Sequence, residues 1–102
     1  MAKDFQAVAR ADEIEPGTLA CVQVGEVELA LVRVGDEFYA TQGHCLHLQG
    51  PLCEGRLRGT VLSCPWHGWQ YDVRSGENEF DRAIQLETYE VRVEDGEVQV
   101  AV

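Results

Sequence analysis

Hydrophobic side chains recur at every second position through much of this chain. Val27, Leu29 and Leu31 alternate with Glu28, Ala30 and Val32, and residues 86–93 alternate again before Asp95-Gly96. A period of two is the mark of a β-strand with one buried face, so the first run predicts one apolar face and one mixed face. Arg33 falls where the next inward side chain would point, which predicts that it sits at the sheet margin with its head in water. Residues 19–24, 27–34 and 37–41 are rich in β-branched and aromatic side chains and are separated by Gly25-Glu26 and Gly35-Asp36, the pattern of a hairpin meander. Residues 5–10 suit an edge strand, and Pro16-Gly17 limits any helix before it to about one turn. Residues 56–63 read as one strand leading into Cys64, residues 70–73 as another leading away, and 86–93 with 97–100 as a closing hairpin. Short strands at this spacing with little helix predict an all-β fold, an antiparallel sandwich or barrel, in a single domain spanning 1–102.

Composition narrows the class of function. The chain has 102 residues, 45% hydrophobic and 25% charged, which are ordinary globular values. Eighteen acidic against eight basic side chains give a formal charge of −10, which repels phosphate backbones and anionic membrane surfaces, so neither nucleic acid nor membrane is an expected partner. The first five residues carry charge at once and no apolar run long enough for a signal peptide or a membrane span follows. A cytoplasmic protein is expected. In a reducing compartment four cysteines point to metal binding or free thiols rather than to a disulfide framework.

The candidate chemistry is concentrated in residues 43–72. Cys45-Leu46-His47 stands sixteen residues ahead of Cys64-Pro65-Trp66-His67. Each segment offers one thiolate and one imidazole, a donor set suited to an iron-sulfur centre or zinc. Of the other two cysteines, Cys21 lies in a short apolar run and is expected to be a small buried hydrophobe. Cys53, inside the loop between the motifs, is expected to be a bystander. His44 adjoins Cys45 but should point away from it, as a solvated loop residue. Trp66, Leu46 and Leu48 are expected both to shield the site and to fill a small core around it.

Cys-x-His followed by Cys-x-x-His, flanked by Gly43 and Gly68, resembles the signature of the Rieske-type 2Fe-2S proteins, in which two histidines replace two cysteines on one iron. That resemblance implies antiparallel sheets carrying a small cluster-binding subdomain, about 43–72 here. It also implies one 2Fe-2S cluster, with Cys45 and Cys64 on one iron and His47 and His67 on the other. Respiratory members of the family carry a disulfide between the two loops, at positions held here by Gly50 and Trp66, and have a membrane anchor not seen in this sequence. The resemblance is therefore to the Rieske-type ferredoxins of bacterial oxygenase systems. It implies a one-electron carrier with no catalytic residues of its own, taking electrons from a flavin-containing NAD(P)H reductase and giving them to a terminal oxygenase. A small subunit of a larger enzyme, such as an assimilatory nitrite reductase, and a structural zinc module are the alternatives. Many relatives also have prolines in a third loop over the cluster; residues 79–84 have none.

Overall fold

The computed structural model describes residues 4–44, 50–66 and 68–101. Among the described residues nine strands form two antiparallel sheets: β1 (Phe5–Arg10), β2 (Leu19–Val24), β3 (Val27–Val34), β4 (Glu37–Gln42), β5 (Arg56–Arg58), β6 (Val61–Ser63), β7 (Gln70–Asp72), β8 (Thr88–Glu94) and β9 (Glu97–Ala101). The larger sheet has the order β1-β9-β8-β4-β3-β2, and its two edges approach each other, so it curls into a nearly closed barrel. The smaller sheet, β5-β6-β7, is inserted in sequence between β4 and β8. Two single-turn 3-10 helices, Ala11–Glu13 and Leu52–Glu54, complete the regular structure of the described residues.

The hairpins follow from their turn residues. Asp95 and Gly96 both take positive φ, 51° and 78°, as the tight two-residue connection between β8 and β9 requires. Residues 56–63 depart from the sequence expectation, because they are two strands rather than one. Gly59 adopts φ 62° and turns the chain, so Arg56, Leu57 and Arg58 pair with Ser63, Leu62 and Val61. A lone glycine in a strand-like run was here a turn, which only glycine takes at no steric cost.

β3 is buried on both faces. Leu29 and Leu31 point into the barrel with Ile14, Val24, Ala40, Val98 and Val100. Ala30 and Val32, expected on a mixed face, instead meet Leu52, Leu62, Cys64, Tyr71, Val73 and Leu86. The small side chains at 30 and 32 leave room for the larger ones that the second sheet brings, and this contact fixes the lobe of the second sheet on the barrel wall.

Arg33 also departs from expectation. Its side chain is only 19% exposed, and its guanidinium donates to the carbonyl oxygens of Ile14 (2.7 Å), Gly35 (2.8 Å) and Ala11 (3.2 Å). It thereby satisfies carbonyls of the 3-10 turn and its C-cap, from which Ile14 enters the barrel core. Arg33→Ala is expected to cost about 1–3 kcal/mol, read as a fall of several degrees in the thermal midpoint. A change within about 0.5 kcal/mol would show that water replaces the guanidinium without loss.

Candidate metal centre

The roots of two loops meet where the second sheet leaves the barrel. The root of the first is set by β3 and β4. Gly43 N–H donates to the Glu28 carbonyl (3.0 Å), Leu52 N–H donates to the Gly43 carbonyl (3.0 Å), and His44 pairs with Pro51 as an antiparallel bridge. Gln42 Nε2 adds a bond to the His44 carbonyl at 2.8 Å and accepts through Oε1 from Glu87 N–H at 2.8 Å, so the loop root is also tied to the chain entering β8. The second loop is closed by the β6–β7 register, Ser63 opposite Gln70, and by Cys64 N–H donating to the Trp69 carbonyl at 2.7 Å. Gly68, at φ 71°, makes the return that a side-chain-bearing residue adopts only with strain.

Cys64 sits at the junction, 2% exposed within the lobe core. Gly50, on the returning limb of the first loop, presses directly against it. A Cβ there would lie 2.6 Å from Cys64 Sγ and 3.2 Å from Trp66 Cβ. The second distance is a few tenths short of the usual Cβ separation in a disulfide. The two positions that would carry the interloop bridge of respiratory Rieske proteins are thus neighbours in space, occupied here by a glycine and a tryptophan.

Cys45, His47 and His67, and the flanking Leu46 and Leu48, lie outside the described residues. The surroundings of Cys64 are nonetheless those that an iron-sulfur centre needs. Its thiol is buried between two rigid loop roots, backed by Leu52, Leu62 and Tyr71, with a glycine where a side chain would crowd the sulfur. Burial beside apolar groups keeps water from the metal and restricts approach to one side.

The third loop has a device in place of prolines. Asn78, 1% exposed, accepts at Oδ1 from the N–H groups of Phe80 (3.0 Å) and Asp81 (3.1 Å), an Asx-type clamp that fixes the turn. Phe80 then stacks edge-on against Trp69, with ring centroids 5.0 Å apart at 88°. Trp66 is 47% and Phe80 66% exposed, so the lobe presents aromatic surface beside the site. Nearby, the Arg74 guanidinium holds the Asp72 carboxyl below its ordinary range and pins the turn after β7.

His44 is partly exposed, its Nε2 3.5 Å from Glu28 Oε1. Cys21 is exposed, against expectation. The apolar run around it faces the barrel through Val22 and Val24, whereas Cys21 points outward, toward Cys53 and Glu28. Sequence reading missed this grouping. The two-residue Gly25-Glu26 turn that fixes the β2–β3 register carried the signal, since it puts Gln23 opposite Glu28 and Cys21 opposite Ala30.

Comparison with known proteins agrees with this geometry. The family described as Rieske [2Fe-2S] domain matches residues 4–90. The chain is 43% identical over 96 residues to ferredoxin CarAc of Metapseudomonas resinovorans, covering 92% of this chain and 90% of that protein. It is 34% identical to the ferredoxin component of the naphthalene 1,2-dioxygenase system of Pseudomonas putida, covering 96% and 94%. Among solved structures, the complex of reduced oxygenase and oxidised ferredoxin in carbazole 1,9a-dioxygenase contains a chain that superposes with a TM-score of 0.88 at 40% identity, covering 98% of this chain and 94% of that one. The ferredoxin of carbazole 1,9a-dioxygenase from Nocardioides aromaticivorans gives 0.89 at 30%, covering 95% and 96%. With its barrel, its two loops meeting at a buried cysteine and these relatives, the chain belongs to the Rieske 2Fe-2S domain family, among its ferredoxins, and carries one Rieske-type 2Fe-2S cluster.

Proposed function

We propose that this protein is a cytoplasmic one-electron carrier, a single Rieske-type domain that accepts electrons from a flavin-containing NAD(P)H reductase and delivers them to a terminal oxygenase. Cys45 and Cys64 hold one iron of the cluster and His47 and His67 the other, so each loop supplies one ligand to each metal. The observation that carries this reading is the buried Cys64 thiol wedged between the roots of the two ligand-bearing loops, with Gly50 against its sulfur. When bound, the cluster supplies a site that takes up and releases one electron, and histidine ligation raises its potential above that of all-cysteine clusters.

The chain's own residues hold and present that site. Leu52, Leu62 and Tyr71 keep its inner side dry, the Asn78 clamp fixes the third loop, and Trp66 and Phe80 offer an exposed aromatic rim to a partner. The acidic excess lies elsewhere. Residues 43–86 carry five acidic and four basic side chains, so the lobe is nearly neutral and most of the −10 charge belongs to the barrel. Among the described residues no helix is long and apolar enough to cross a membrane. Reconstitution tests the proposal: the purified protein, added to a ferredoxin reductase and a terminal oxygenase of a carbazole- or naphthalene-type system, is expected to restore NAD(P)H-dependent substrate oxidation. Failure with a fully loaded cluster across several such systems would contradict it.

A further inference from the structure

Cys21, Glu28 and Cys53 gather on the barrel face where the first metal loop returns to it. In the β2–β3 register Cys21 lies opposite Ala30 and Glu28 opposite Gln23, so Cys21 and Glu28 are diagonal neighbours on one face. Cys53 reaches the same face from the 3-10 turn Leu52–Glu54, held there by the bonds from Leu52 to Gly43 and from Gly43 to Glu28. The two sulfurs and a carboxylate oxygen all lie within 4.8 Å of one another, with Cys53 Sγ 3.9 Å from Glu28 Oε1.

We propose that Cys21, Cys53 and Glu28 form a second metal site, separate from the cluster, that takes a thiophilic divalent cation of the zinc type. Two sulfurs and one carboxylate form a donor set for a tetrahedral, borderline-soft ion, with a solvent molecule as fourth ligand. Zinc bonds of about 2.3 Å to sulfur and 2.0–2.2 Å to oxygen place such atoms roughly 3.5 Å apart in a tetrahedron. Cys53 Sγ and Glu28 Oε1, 3.9 Å apart, need a contraction of a few tenths of an ångström, and the other two pairs, each within 4.8 Å, close by at most about 1.3 Å. His44 Nε2, 3.5 Å from Glu28 Oε1, steadies the carboxylate from outside the group, the part that outer partners play around metal ligands. Exposure of Cys21 gives a path of entry.

The chemistry of the group without a cation agrees. Partial desolvation of the Cys21 sulfur where it faces its neighbours, together with the proximity of Cys53 and Glu28, pushes that thiol up to about 12. Crowded anionic donors hold their protons until a cation replaces them, and each coordinating thiol then releases its proton to water. A cation here ties the returning limb of the first cluster loop to β2 and β3.

The test is native mass spectrometry of the cluster-loaded protein, kept reduced, during titration with Zn2+. Binding of one zinc per chain is expected, with cluster mass and visible spectrum unchanged. Cys21→Ser and Cys53→Ser are each expected to weaken zinc binding by at least about 100-fold, more than loss of an outer partner does, while both keep the cluster. The retained cluster separates this result from any failure of the carrier assignment. Absence of zinc binding, equal binding by both serine variants, or a Cys21–Cys53 disulfide persisting under reduction would each overturn the proposal.

Discussion

Replacing any one of Cys45, His47, Cys64 or His67 with alanine is expected to abolish normal cluster assembly. Each loop supplies one ligand to each iron in the proposed arrangement, so loss of one side chain leaves an iron three-coordinate and the other loop without a counterpart. Metal binding is also folding energy here, because a preformed site rarely exists in the unfolded chain. The lobe should therefore lose stability along with its colour. Cys64→Ala carries an added cost, since the sulfur fills part of the lobe core between Leu52, Leu62 and Tyr71. Cys21→Ser and Cys53→Ser supply the contrast, because their side chains point to Glu28 rather than to the loop junction. Iron content and visible absorbance of the six purified variants check the assignment. A Cys53 variant without iron beside a His67 variant with an unchanged spectrum would refute it.

Electron transfer to the physiological partner is expected to slow as ionic strength rises, with the effect in the association rate. A formal charge of −10 steers the molecule toward a basic partner surface over distances that salt screens, and such steering raises association rates by 10–10³-fold. The charge distribution sets the size expected here. The lobe is nearly neutral and its rim is aromatic, with Trp66 and Phe80 exposed, so the docked complex itself is held by apolar contact. The expected fall is then roughly tenfold between low and physiological salt, at the lower end of that range, while the dissociation rate changes little. Stopped-flow measurement across a salt series separates the two rates. An association rate flat or rising with salt would show that docking at the tip acts alone.

Much of the fold was legible because several barrel strands alternate apolar and polar positions and their turns carry glycine. The hairpin at Asp95-Gly96 and the meander of β2, β3 and β4 needed nothing further. Two misreadings share one cause, which is that burial by a distant segment leaves no local trace, and a third, at Cys21, comes from strand register. Ala30 and Val32 looked like a mixed face until the second sheet covered them. Arg33 looked solvated until the turn at Ala11–Glu13 brought carbonyls to it. Cys21 looked buried because its apolar neighbours hid the register that turns it outward. The split of residues 56–63 is different, since Gly59 marks it in the sequence itself and its φ of 62° turns the chain there. For the site, spacing alone marked the four candidate ligands, whereas the proximity of Gly50 to Trp66 needed the fold.

A redox titration of the purified protein near pH 7 reads directly whether the chain holds a histidine-ligated cluster poised to feed oxygen activation. Hydrogen bonds that stabilise the reduced cluster raise the potential of a Rieske centre across about −150 to +300 mV. Here no disulfide can join positions 50 and 66, and Trp69, whose ring packs on Phe80, stands where high-potential relatives are expected to place a hydroxyl donor. Red-brown protein with about two irons per chain is expected, taking up one electron at a midpoint of roughly −150 to 0 mV. Colourless protein with a single zinc and no reducible centre, or a midpoint above about +150 mV, would contradict it.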